Sequence, residues 1–250
     1  VRERLDAMGL YGTRASVLVG DPTTCPFSPY FASLVVSETP DAFDESEELA
    51  LTLAAFHTLR PYGGVACAWG AMADQYRIEQ IVKEETLPGA VVSESGGLVL
   101  LTRSGPLPGA ADWSHAEANA ASTGASEDEL ICAPMSILWF DAAQRWHKFP
   151  GQDQVRVSSG RLILLEEGLL RASDVYTGRK LWEVEAPLGE NPLTDQQARD
   201  DVRYQRHRVW GPPASLAQTT QLVVVDDAIY LSDGPDCLVF DPATGESLGR

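Results

Sequence analysis

The stretch Asp174-Val175-Tyr176-Thr177-Gly178-Arg179-Lys180-Leu181-Trp182 constrains this chain more than any other. It returns in weaker form at Asp241-Pro242-Ala243-Thr244-Gly245-Glu246-Ser247-Leu248-Gly249, with Asp241 standing 67 positions after Asp174. Each copy reads Asp-x-x-Thr-Gly and follows a strand-like run. Such a turn between two strands makes a hairpin: the Asp side chain holds the turn and the Gly accepts a positive φ. A hairpin copied at a fixed spacing is a repeat. Aligning the copies sets Leu162-Ile163-Leu164 against Ile229-Tyr230-Leu231, and the equal strand-to-turn offsets predict equivalent hairpins with Gly178 and Gly245 in one conformation.

The strands around the two turns follow from short apolar runs: Val155 to Ser158, Arg161 to Leu165, Leu169 to Ser173 and Lys180 to Val184 in the first unit. In the second they are Leu222 to Val225, Ala228 to Leu231 and Cys237 to Phe240. Residues 187 to about 215 mix charge, Pro and Gly and read as an inserted loop. The repeat resembles that of pyrroloquinoline-quinone-type (PQQ-like) β-propellers, whose motif runs Ala-x-Asp-x-x-Thr-Gly-x-x-x-Trp. Ala172, Asp174, Thr177, Gly178 and Trp182 match it; the second copy keeps Asp241, Thr244 and Gly245, with Val239 for the Ala and Gly249 for the Trp. Asp112-Trp113-Ser114-His115 and Asn119-Ala120-Ala121-Ser122-Thr123 resemble the opening of such propellers, with Ile137-Leu138-Trp139-Phe140 as a first strand. The resemblance covers residues 106–250. It implies that Thr and Asp close the turn and that the Trp packs between neighbouring blades. A quinone would be held by residues from several blades.

Residues 1–105 have another texture. Residues 1 to about 9 read as a helix end, and Arg14 to Val19, Phe31 to Val36 and Val65 to Trp69 as buried strands. Thr39-Pro40 opens a helix whose acidic first turns (Asp41, Asp44, Glu45, Glu47, Glu48) suit the positive end of its dipole. Its apolar stripe is Leu49, Leu53, Phe56 and Leu59, and Pro61 with Gly63-Gly64 stops it. A second helix runs from Ala71 to about Glu85, and a hairpin turns at Gly96-Gly97. Strand, helix, strand, helix, hairpin is the pattern of a parallel α/β sheet.

Three signatures in this order resemble the C-terminal half of a class I S-adenosylmethionine-dependent methyltransferase. They are Val19-Gly20-Asp21 with Pro26-Phe27, then Phe31 to Val36, then Leu59-Arg60-Pro61-Tyr62-Gly63-Gly64. Ser33 departs from the family's Asp, and the Gly-rich first turn and ribose-binding carboxylate of that family have no counterpart here. The resemblance implies a Rossmann-like sheet, with Gly20 and Asp21 on the adenine side of the cofactor site. A carboxylate there accepts from an amino group; the plainer role is an Asp closing a strand-end turn.

The expected architecture is therefore α/β plus all-β: half of a Rossmann-like sheet over 1–105, then an incomplete β-propeller of one to two blades over 106–250. The opening without Met and the small number of repeats predict a fragment of a longer chain, missing both N- and C-terminal parts. No metal ligands are assigned, and no catalytic residues. S-adenosylmethionine or PQQ belongs to the full-length protein rather than to this stretch.

Charge narrows the partners. A net charge of −17 over 250 residues excludes a phosphate-backbone binder, which needs Lys/Arg clusters; the same charge also serves plain solubility. No apolar run approaches a membrane span. Cys25, Cys67, Cys132 and Cys237 are scattered without metal spacing and leave the compartment open. His57 reads as packing or surface, and His147, His207 and the cluster Arg203, Arg206 and Arg208 as solvated loop. His115, Ser114 and Asp112 contain the residue types of a hydrolytic triad, but neighbours in sequence rarely attain its geometry. Two function classes follow: a binding or scaffolding propeller with a methyltransferase-like module, or methyl transfer or quinone-linked oxidation in the whole protein.

Overall fold

The computed structural model describes residues 1–25, 27–37, 45–68, 75–135, 137–140, 154–166, 168–186, 221–233 and 236–250. The predicted helix start at Thr39-Pro40 lies outside these residues, as do Pro26, Trp69, the inserted loop, His147, His207 and the Arg203, Arg206 and Arg208 cluster.

The N-terminal part begins with helix α1 (Arg2–Ala7) and continues through strand β1 (Leu34–Val36), helix α2 (Glu45–Thr58) and strand β2 (Gly64–Ala68). Helix α3 (Gln75–Glu84) and the hairpin β3 (Ala90–Ser95) and β4 (Leu98–Arg103) complete it. Helix α2 ends because Pro61 has no N–H to continue it and Tyr62 and Gly63 turn left-handed, with φ of 57° and 102°. Gly64 follows under a tighter constraint: a Cβ there would stand 2.6 Å from the Arg60 carbonyl oxygen. The β3–β4 hairpin closes through Gly96 and Gly97, both at positive φ, as a two-residue turn with matched twist requires.

These strands form one sheet in the order β1-β2-β4-β3. Only β1 and β2 run parallel; β4 lies antiparallel to both β2 and β3. This overturns the Rossmann-like reading. The expected strand at Arg14 to Val19 does not form; its residues make only a bridge between Tyr11 and Ala15, and Leu18 and Val19 are 66% and 88% exposed. An apolar run becomes a buried strand only when a neighbour covers it, and here none does. The core under this sheet is Phe56, Leu59, Ile78, Val99 and Leu101.

The C-terminal part is two four-stranded antiparallel meanders. The first contains β5 (Gln154–Ser158), β6 (Arg161–Glu166), β7 (Leu169–Asp174) and β8 (Lys180–Glu185). The second contains β9 (Leu222–Val224), β10 (Ile229–Asp233), β11 (Asp236–Phe240) and β12 (Ser247–Gly249). The described residues close no propeller ring, so the propeller half of the expected architecture is corrected to two stacked sheets. The run Ile137 to Phe140, expected as a first strand, forms none.

The two meanders share one hydrogen-bonding register. Ile163 faces Ala172 and Ala172 faces Trp182; 67 residues on, Tyr230 faces Val239 and Val239 faces Gly249. Both carry a bulge at the same place, after Ala172 and after Val239. Yet they bury opposite faces. The first buries Ile163, Leu165, Leu170 and Ala172; the second buries Leu222, Val224, Ile229, Leu231, Leu238 and Phe240. These residues are one core, so one face of the first sheet packs on the other face of the second.

Candidate functional site

Each Asp-x-x-Thr-Gly segment folds as the same turn. Asp174 Oδ1 accepts from the Tyr176 and Thr177 amides at 3.1 and 2.9 Å and from Thr177 Oγ1 at 3.0 Å. Asp241 Oδ1 accepts from the Ala243 and Thr244 amides at 2.6 and 3.0 Å. The Gly178 and Gly245 amides close back on the carbonyls of Asp174 and Asp241, and both glycines have positive φ, 69° and 77°. An L-residue is disfavoured there on backbone grounds alone.

Each turn is capped by a tryptophan from earlier in the chain. The Trp182 indole donates to the Pro242 carbonyl at 3.1 Å, and its ring lies where a Cβ on Gly245 would be, 2.6 Å from Cε3. Trp139 does the same to the first turn: its indole donates to the Val175 carbonyl at 2.8 Å and its ring covers Gly178. By sequence Trp139 lies in an apolar run that reads as a strand. Its repetition of the Trp182 role was visible only as a second Leu-Trp, 43 residues upstream, without a motif around it.

The first turn does something the second does not. Asp174 is 2% exposed, and its Oδ2 pairs with Arg60 Nη1 at 3.0 Å. Arg60 also donates to Ser33 Oγ and to the carbonyls of Pro61 and Tyr62. The turn is thereby tied to the N-terminal sheet. Tyr62 packs its ring against Gly160, and Tyr30 meets Tyr176 edge-on at 6.0 Å. Burial, with Tyr62 and Tyr30 nearby, pushes the Tyr176 phenol up to about 12. Asp112, in the segment that follows β4, binds the β5–β6 turn, accepting from Ser158 Oγ at 2.9 Å and from the Ser159 amide. Ser114 Oγ lies 2.8 Å from His115 Nδ1, but with Asp112 on Ser158 and Ser159 the three do not form a triad.

The predicted pair Gly20 and Asp21 lies in an exposed turn. Asp21 Oδ1 accepts from the Thr23 amide at 2.8 Å and from Thr23 Oγ1 at 2.7 Å, and these bonds hold its carboxyl below the usual range. The carboxylate therefore closes a turn. Directly after it, Pro22 and Thr23 line a cavity of about 950 Å³. Its lining is mainly apolar and includes Phe27, Phe31, Leu34 and Val36 together with residues of α2.

Arg103 stands at that cavity, and in the sequence nothing marks it beyond its place as the last residue of a hairpin strand. Along β4, Val99, Leu101 and Arg103 alternate onto the buried face, so a cation occupies the third position of a core row. Arg103 is 8% exposed, with its guanidinium 3.9 Å from the Phe56 ring centroid and 5.1 Å from that of Tyr30. Its Nε and Nη1 have no hydrogen-bond partner among the described residues. Burial pulls its pKa below the ordinary arginine range.

Among the described residues no group of His, Cys, Asp and Glu is placed to hold a metal, and no helix is long and apolar enough to cross a membrane. Compared with known proteins, the chain matches no protein-family model and has no significantly similar curated protein.

Proposed function

We propose that this chain works as a binding or scaffolding module, with its stacked sheets as units similar to the PQQ-like repeat. The observation that carries this reading is the pairing of Trp139 with the Gly178 turn and of Trp182 with the Gly245 turn by the same two contacts. The repeated motif side chains are thus occupied with each other: the Asp carboxylates accept from their own turn, and the indoles cap the turns. Residues so engaged hold a rigid stack and present surface; they are not left over for chemistry. Methyl transfer and quinone-linked oxidation are the competing enzymatic readings. The first has lost the parallel sheet on which it stood, and Asp21 is engaged with Thr23.

Calorimetry with S-adenosylmethionine, and separately with PQQ plus Ca²⁺, tests the proposal. The expected result is no saturable heat with either. Micromolar binding, about −8 kcal/mol, to either cofactor would replace the scaffold reading by the corresponding enzymatic one.

A further inference from the structure

Arg103 poses a charge-balance problem that the stacked sheets do not touch. Removing a guanidinium from water is costly unless a counter-charge and hydrogen bonds replace the solvent. The Phe56 and Tyr30 faces offset part of that cost through cation–π attraction. Tyr30 also takes a side-chain hydrogen bond from the guanidinium, but Nε and Nη1 keep three N–H bonds without an acceptor among the described residues. Arg60, a half-buried arginine, shows the contrast: it has Asp174, Ser33 and two carbonyls.

The cavity beside Arg103 is matched to an anion with an apolar body. Its volume, about 950 Å³, falls within the range of small-molecule sites. Phe27, Phe31, Leu34 and Val36 all line it, and all are substantially exposed, at 40%, 45%, 60% and 46%. Four large apolar side chains around one hollow, with a buried cation on its wall, complement a ligand that is apolar along its length and acidic at one end. A bare inorganic anion would satisfy the arginine and leave these walls wet. In a chain of net charge −17 it would also meet repulsion with no apolar burial to offset it.

We propose that this cavity binds an apolar monocarboxylate, with the carboxylate on Arg103 and the hydrocarbon against Phe27, Phe31, Leu34 and Val36. The assignment is independent of the scaffold reading.

Titration calorimetry of the full chain with decanoate tests it, with decanol and inorganic phosphate as comparison probes. Decanoate is expected to bind at least about tenfold more tightly than decanol, the increment of a hydrogen bond to a charged group, and phosphate not to saturate. Arg103→Met is expected to bring decanoate down to the decanol level and to raise the melting temperature of the unliganded chain, since a buried charge with two nitrogens lacking acceptors is removed. A purely structural arginine predicts the reverse: a lower melting temperature and unchanged decanoate binding. If Arg103→Met does not fold, Leu34→Asp, at an exposed wall position, carries the test and is expected to weaken decanoate about tenfold by like-charge repulsion. Equal binding of decanoate and decanol, saturation by phosphate, or an unaltered affinity in Leu34→Asp would overturn the proposal.

Discussion

Tyr176 sits inside the first repeat turn and faces Tyr30 of the N-terminal part, so its ionisation reports on that contact. An unfolded tyrosine titrates near 10, whereas burial holds this one to about 12. Its neutral form is the one the fold favours. The stability it contributes is complete below pH 10 and is lost as pH rises from 10 through about 12. Denaturation midpoints measured between pH 8 and 12 are expected to fall over that window, and to fall less steeply in Tyr176→Phe. An identical pH profile for the variant would show that another group governs the alkaline transition. Tyr62, also raised by burial, adds to the loss in the same direction.

At the scale of elements, the two meanders are related by a 67-residue shift in register, turn and bulge, and differ in what covers them. Trp182 belongs to β8 by sequence but to the Gly245 turn by contact. Truncating it removes a half-buried ring between two sheets. Trp182→Ala is therefore expected to lower stability by about 2 kcal/mol, somewhat less than a fully buried aromatic would cost. That corresponds to a melting temperature lower by roughly 4–8 °C for a chain of this size. Scanning calorimetry measures it. A change within about 0.5 kcal/mol, typical of surface positions, would show that the tryptophan does not couple the sheets.

At the scale of the whole molecule, Asp174 and Asp241 are the same residue in the same turn with different burdens. Asn at either position keeps an Oδ1 to accept the turn amides. Only at position 174 does it also remove the carboxylate facing Arg60. Asp174→Asn is expected to cost about 3 kcal/mol, because an arginine is left buried opposite a neutral group, and Asp241→Asn under about 1 kcal/mol. Urea denaturation of the two variants compares them directly. Equal costs would mean that the Arg60 pair does not join the N-terminal sheet to the repeats. The link matters because it ties a turn of the first meander directly to the segment that leads into β2.

What the sequence determined by itself was local. Asp174, Thr177 and Gly178 close their turn with one another's atoms, and Asp241, Thr244 and Gly245 repeat it, so residue type and spacing sufficed. The hairpin at Gly96-Gly97 and the stop of α2 at Pro61 were legible for the same reason: glycine and proline act on their own backbone. Tertiary structure decided everything that depends on a neighbour. The stretch at Leu18 and Val19 is as apolar as a buried strand, but no strand came beside it. Tyr230 holds the register position of Ile163 and is 41% exposed where Ile163 is fully buried. The stacking partner lies on the opposite side, and no pattern within one strand encodes that side. The same holds for the cavity. Phe27, Phe31 and Leu34 come from one stretch and Arg103 from another, and only packing of β4 beneath α2 turns an arginine at a strand end into a buried cation facing an apolar hollow.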